Sequence, residues 1–88
     1  MYAGKVIGNV VATTKDPSLQ GKKILVVEKL NEKKEPTGST EVAIDTVGAG
    51  NGEYVLVTKG SSARISSGES TVIDAAIVAI IDTMEVEN

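Results

Sequence analysis

Gly48, Gly50 and Gly52 constrain this chain most, because they separate two runs that otherwise read as β-strands, Glu41 to Val47 and Glu53 to Lys59. Glycine and asparagine adopt positive φ at little steric cost, so Asn51-Gly52 marks a tight turn and the chain reverses there. Alternating glycines superficially resemble a phosphate cradle. Such cradles lead from a strand into a helix whose N-terminus faces the phosphate. Here Glu53-Tyr54-Val55-Leu56-Val57 continues as a strand, and no Gly-Lys-Ser/Thr follows. The loop is architectural on this reading.

With 88 residues, 41% of them hydrophobic and 24% charged, the chain is expected to form one domain, 1–88, around a small core. Domains of this size are marginal alone and are generally held by disulfides, a metal or a partner subunit. The sequence has no Cys and no His, which removes disulfides, thiolate metal sites and the commonest remaining transition-metal ligand. No metal or cofactor is therefore expected, and oligomerisation is left as the staple.

The same absences weigh against catalysis, since nucleophilic triads and most proton shuttles near neutral pH use His or Cys. Ser61 and Ser62 have no His to activate them, and Asp45 and Glu53 read as hydrogen-bonded braces of the loop, not as paired acid/base carboxylates. No catalytic residue is assigned. Arg64, a planar five-donor fork, suits a structural or inter-subunit contact. A net charge of -3 with Tyr2 and Tyr54 as the sole aromatics offers nucleic acid neither a basic face nor stacking platforms. The longest apolar run, Ala75 to Ile81, falls far short of the ~20 residues of a membrane helix, and no leader-like segment opens the chain. The expectation is a cytosolic protein with no membrane partner.

Along the chain, Gly4 to Thr13 reads as a first strand bent at Gly8. Thr14 to Gly21 is a connection, with turn chemistry at Asp16-Pro17 and Leu19 tucked under it as an apolar plug. Ile24 to Leu30 is a second strand whose continuous apolar start predicts burial on both faces, by a barrel interior and a neighbouring subunit. Asn31 to Thr40, polar and nearly charge-neutral, reads as an exposed hairpin loop, and Gly60 to Arg64 as a sharp connection. Thr71 to Asp74 offers a capping box and Asp74-Ala75-Ala76 permits one helical turn. The β-branched run Ile77 to Ile81 then makes a last strand, and Glu85 to Asn88 a loose tail. Short strands with glycine turns predict an all-β fold, a small five-stranded OB-like barrel with one short helical turn.

Five ordered segments carry a family likeness. They are Met1-x-x-Gly4-Lys5-Val6-x-Gly8-x-Val10-x-Ala12-Thr13, then Pro17-Ser18-Leu19-x-Gly21, then Asp45-x-Val47-Gly48-Ala49-Gly50-x-Gly52-Glu53-x-Val55. Gly60-Ser61-Ser62-Ala63-Arg64 and Asp74-Ala75-Ala76-Ile77-Val78-x-Ile80-Ile81-Asp82 complete the set. Together they resemble the EutN/CcmL family of bacterial microcompartment shell vertex proteins, over nearly the whole chain; only Asn31 to Thr40 looks individual.

That resemblance implies a cyclic homopentamer of OB-like barrels at the five-fold vertices of a polyhedral shell, since hexagonal tiles alone make a flat sheet. Its partners would be further copies of itself and hexameric shell proteins, with no cofactor and no catalysis. It also makes Asp45, Gly48, Ala49, Gly50, Asn51, Gly52 and Glu53 candidates for a subunit seam or ring axis, and Ser61, Ser62 and Arg64 candidates for an inter-subunit contact. The alternatives are an OB-like module binding an oligosaccharide or oligonucleotide, and a small enzyme using Asp, Glu and Lys alone.

Overall fold

The computed structural model describes residues 1–13, 15–67 and 73–86. Strands β1 (Tyr2–Val10), β2 (Lys23–Leu30), β3 (Pro36–Asp45), β4 (Tyr54–Lys59) and β5 (Ala75–Ile80) close into a barrel in the order β1-β2-β3-β5-β4. Helix α1 (Gly60–Ser67) lies between β4 and β5. Every pairing is antiparallel except β3 with β5, and that parallel seam is only two pairs long, Ile44 with Ala76 and Asp45 with Ile77.

Alternation on the strands explains the barrel. Val6 of β1, Leu25 and Val27 of β2, Ala43 of β3, Val55 and Val57 of β4 and Ala75 and Ile77 of β5 point inward and are buried together. A second cluster forms outside the barrel wall, where Ala63 of α1 packs on Ile44, Ile73 and Ala76, with Leu19 and Ile24 against it. Leu19 is thus the plug its loop predicted. Asp16 caps that short 3-10 turn, its carboxylate accepting from the Ser18 N–H at 2.9 Å. On β2 the inner residues Leu25 and Val27 are buried by the barrel, while Ile24 and Val26 on the outer face are half-buried within the subunit.

Several boundaries differ from expectation. The first strand ends at Val10, and its bend is a bulge at Ile7, since Val6 faces Val27 and Gly8 faces the adjacent Val26. The hairpin turn is only Asn31 to Glu35: Pro36 to Thr40 extend β3, with extra residues around Gly38 at φ +86 where Leu30 faces Pro36 and Glu28 faces Thr40. Those polar residues form an exposed arm, too hydrophilic to signal a strand by periodicity.

The helix also sits elsewhere. Ala75 and Ala76 are buried β5 residues, not a helical turn, because β5 is clamped between β3 and β4, where small side chains suit the close approach of the wall. The expected sharp connection at Gly60 to Arg64 is instead the start of α1. Gly60 leaves β4 at φ +64, and its N–H donates to the Asp74 carbonyl at 2.8 Å. Thr71 and Val72 of the supposed capping box lie outside the described residues.

Candidate functional site

The glycine loop closes one end of the barrel. β3 and β4 are not neighbours, so the loop crosses the barrel end, with β5 between the strands it joins. It docks on β1 through two backbone bonds: the Gly52 N–H donates to the Val6 carbonyl at 2.8 Å, and the Val6 N–H donates to the Glu53 carbonyl at 3.0 Å. Gly48 and Gly52 adopt φ +81 and +86, as a reversal here requires. Ala49 is fully buried and plugs the core from below.

Both carboxylates expected as braces do brace. Asp45, its side chain only 2% exposed, accepts from the Val47 N–H at 3.1 Å, while Glu53 accepts from the Gly50 N–H at 2.7 Å. Lys23, opposite Asp45 on β2, ties the two parts together: its ammonium donates to the Ala49 carbonyl and lies 3.8 Å from Asp45 Oδ2. Lys23 escaped the sequence reading because it stands outside the glycine motif, although its even spacing with Leu25 and Val27 places it on the inner face.

The opposite barrel mouth carries a second lysine–carboxylate lock. The Tyr2 hydroxyl donates to Glu41 Oε1 at 2.5 Å, Lys59 donates to Glu41 Oε2, and the Lys29 ammonium lies 5.1 Å from the Tyr2 ring centroid. Burial, aided by the bond to Glu41, pushes the Tyr2 phenol well above its ordinary range. Burial also pushes Glu41 upward, but hydrogen bonds from Lys59 and Tyr2 outweigh it and hold the carboxyl below its usual value. The bond to Glu41 raises Lys59. The detectable signal was again parity, for Glu41 and Lys59 continue the inner faces of β3 and β4 past Ala43 and Val57.

On α1, Ser61 and Ser62 are exposed, Arg64 is half-buried and Ile65 is 70% exposed. Arg64 Nη1 donates to the Ile73 carbonyl at 3.4 Å, tying α1 to the entry of β5. The two groups of candidate residues are thus bound to different elements, the loop to β1 and β2, Arg64 to β5. Each Tyr ring has lysine ammonium groups near it: lysines 5 and 34 each lie 5.7 Å from the Tyr54 ring centroid, and Lys29 lies 5.1 Å from that of Tyr2. Among the described residues, no three His, Cys, Asp or Glu side chains converge as a metal site. No helix there is long and apolar enough to cross a membrane.

The chain has close relatives. It is 62% identical to the bacterial microcompartment shell vertex protein GrpN of Rhodospirillum rubrum, across the full length of both. It is 51% identical to the carboxysome shell vertex protein CcmL of Synechococcus elongatus, covering all of this chain and 90% of that one. The solved structure of the R. rubrum GrpN pentameric microcompartment shell protein superposes over the whole of both chains with a TM-score of 0.91 at 60% identity. Residues 1–82 match the family model described as ethanolamine utilisation protein EutN/carboxysome. The barrel, its glycine-loop floor and the relatives agree, and the chain belongs to the EutN/CcmL family.

Proposed function

We propose that the chain is a structural protein that assembles as a homopentamer and closes the five-fold vertices of a bacterial microcompartment shell. The observation that carries this is full-length similarity, at 62% identity, to a shell vertex protein whose solved structure is a pentameric shell protein. The isolated subunit supports a ring in its own way. Its outer sheet presents Ile7, Val42 and, just past β1, Val11 to solvent, apolar surface that a small subunit gains by burying against a copy. The family's relatives are structural shell proteins, so neither an enzyme nor a binding module for an oligosaccharide or oligonucleotide is favoured.

Within this reading, hexameric shell proteins flank the pentamer, and the setting is the cytoplasm, as part of the shell. Asp45 and the loop Gly48 to Glu53 lie at a seam or the ring axis, and Ser61, Ser62 and Arg64 form a second contact. Gly50 is the informative position. Its φ is not left-handed, and a Cβ there would meet only Glu53 Oε1 at 3.6 Å, an ordinary contact, so the subunit itself does not require glycine.

Native mass spectrometry of the untagged protein at physiological ionic strength should give five times the 9.1 kDa subunit mass. A stable monomer would overturn the ring. Co-expression with hexameric shell proteins should give closed particles only when this chain is present, and equal closure without it would remove the vertex role.

A further inference from the structure

The tip of the glycine loop carries a chemistry of its own. The Glu53 N–H donates to the Gly50 carbonyl at 3.1 Å, so Gly50 to Glu53 form a β-turn with Asn51 and Gly52 at its centre. Gly52 sits at φ +86 and Asn51 is not left-handed, the pattern of a type II turn. Asn51 is exposed, and its side-chain amide makes no hydrogen bond with another described residue. An asparagine amide can react with the backbone nitrogen of the residue that follows it. Glycine is the follower that shields this nitrogen least, because it has no Cβ.

We propose that Asn51-Gly52 is a self-modification site, held closed while the loop is docked on β1 and opened when the loop lifts off. On release the Gly52 nitrogen gives up its proton and attacks Asn51 Cγ. The N–Cγ bond forms, the Cγ–Nδ2 bond breaks and ammonia leaves with that proton, which closes a five-membered imide. Water then opens the imide at either carbonyl. Opening at Cγ leaves aspartate at position 51. Opening at the backbone carbonyl leaves isoaspartate, in which the main chain runs through the former side chain and is one carbon longer. The reaction consumes only water and changes no oxidation state.

The docked loop supplies the gate. The Gly52 N–H, whose nitrogen must attack, donates to the Val6 carbonyl at 2.8 Å, and the Val6 N–H returns a bond to the Glu53 carbonyl at 3.0 Å. Glu53 Oε1 tightens the turn by accepting from the Gly50 N–H at 2.7 Å. The other two asparagines among the described residues lack this combination. Asn9 is paired with Leu25 in the β1–β2 ladder and is followed by the β-branched Val10. Asn31 has its amide held by Lys33 and Glu35 and is followed by Glu32. With a main chain one carbon longer, the isoaspartate loop cannot return the Gly52 N–H to Val6, so the release becomes permanent. The aspartate product adds a negative charge two residues from Glu53.

The test incubates the full-length protein at mildly alkaline pH, folded or unfolded in guanidinium, and follows each asparagine by peptide mass mapping. In the unfolded chain Asn51 should convert ahead of Asn9 and Asn31. In the folded protein it should convert more slowly by about tenfold or more, as a local opening equilibrium requires. Full-length Glu53→Ala, which removes the acceptor of the Gly50 N–H, should convert faster than the folded parent while keeping its circular dichroism. Equal rates in the folded and unfolded chains, a Glu53→Ala rate equal to that of the parent, or earlier conversion at Asn9 or Asn31 would overturn the proposal. As a second measurement, the isoaspartate form, separated by anion exchange and peptide-mapped, should exchange the Val6 and Gly52 amide hydrogens faster than the parent. Unchanged exchange at both would overturn the permanent release.

Discussion

Gly4→Ala adds a single methyl group, yet it should be among the most damaging small substitutions in the chain. A Cβ at Gly4 would lie 2.3 Å from Val27 Cγ1, 3.0 Å from the Glu28 carbonyl oxygen and 3.6 Å from Tyr2 Cε1. Carbon atoms pack best at about 3.5–4.0 Å, so the first contact is more than an ångström too close. Val27 is fully buried in the barrel core, and a β-branched side chain has few rotamers to retreat into. Glu28 is paired to β1 on one side and β3 on the other, so its carbonyl yields only if the ladder does. Overpacking of this kind costs about 1–3 kcal/mol, against a gain of at most ~1 kcal/mol from stiffening the unfolded chain. At ~4–8 °C per kcal/mol, the melting temperature should fall by roughly 5–15 °C in thermal unfolding followed by circular dichroism at fixed protein concentration. Gly8→Ala is the internal control, because its Cβ would meet Val26 at 3.9 Å and should be neutral or slightly stabilising. If Gly4→Ala and Gly8→Ala melt within about 2 °C of each other, the packing argument is wrong. Adding Val27→Ala to Gly4→Ala should recover part of the loss, as a coupling of opposite sign in a double-mutant cycle.

Four further outcomes follow from the two locked ends, the turn and the loop. Asp45→Ala removes a carboxylate that is 2% exposed and accepts from the Val47 N–H, and should cost about 1–2 kcal/mol, whereas Lys23→Met, at a half-exposed position, should cost under ~1 kcal/mol; denaturant midpoints decide. Asn31 holds its turn by accepting from the Lys33 and Glu35 N–H groups at 2.8 and 3.0 Å. Asn31→Ala should therefore lose roughly 1 kcal/mol and speed hydrogen exchange at those amides, while Asn31→Asp, which keeps both acceptors but trades the Nδ2 donation to the Glu35 carboxylate for a repulsive pair, should retain more of the protection at pH values where one of the two carboxyls is protonated. Against the upward push of burial, hydrogen bonds from Lys59 and Tyr2 hold the Glu41 carboxyl below the ordinary glutamate range in the folded state, so the stability it contributes is complete above that range and disappears as pH falls through the lowered value. Glu41→Gln should flatten the acid limb of a melting-temperature profile, and an unaltered limb would contradict the lock. Gly50→Arg should abolish the five-fold mass in native mass spectrometry while leaving the subunit folded, since a Cβ at this position makes only an ordinary contact with Glu53 and the backbone does not need glycine; an intact ring would move the seam elsewhere.

What could be read from the sequence, and what could not, divides along a physical line. The turn at Asn51-Gly52, the bend near Gly8, the Leu19 plug and the carboxylate braces at Asp45 and Glu53 were legible because each depends on neighbours within a few residues. Strand β3 was shortened in the reading because Thr37 to Thr40 carry no apolar alternation; their strand state comes from pairing with β2, which is set by the whole hairpin. Helix α1 was missed for the reverse reason. Gly-Ser-Ser-Ala-Arg-Ile-Ser-Ser is a poor helix by propensity, and it is held by Ala63 buried against Ile44 and Ala76 and by Arg64 reaching Ile73, contacts supplied by distant strands. Ala75-Ala76 mirrors it, good helix formers drawn into a strand because the wall needs small residues between β3 and β4.

Charged residues follow the same division, and here the lesson bears on function. Lys23 with Asp45, and Lys59 with Glu41, continue the inward parity of the core strands to their ends, so each barrel mouth is closed by an ion pair where the apolar filling stops. Exposed pairs of this type contribute little to stability. Their value lies in fixing side chains that would otherwise swing into solvent, which turns both ends of the barrel into rigid surfaces. A subunit whose task is to meet identical copies at one fixed angle depends on that rigidity, because a small rotation per subunit separates a ring of five from a ring of six. Softening a mouth should therefore broaden the distribution of ring sizes before it unfolds the barrel. In native mass spectra of Tyr2→Phe, which removes one bond to Glu41 and keeps the ring in the core, a six-fold species should appear beside the five-fold one at temperatures well below melting. A purely five-fold spectrum up to the melting point would show that the angle is set by the seam alone.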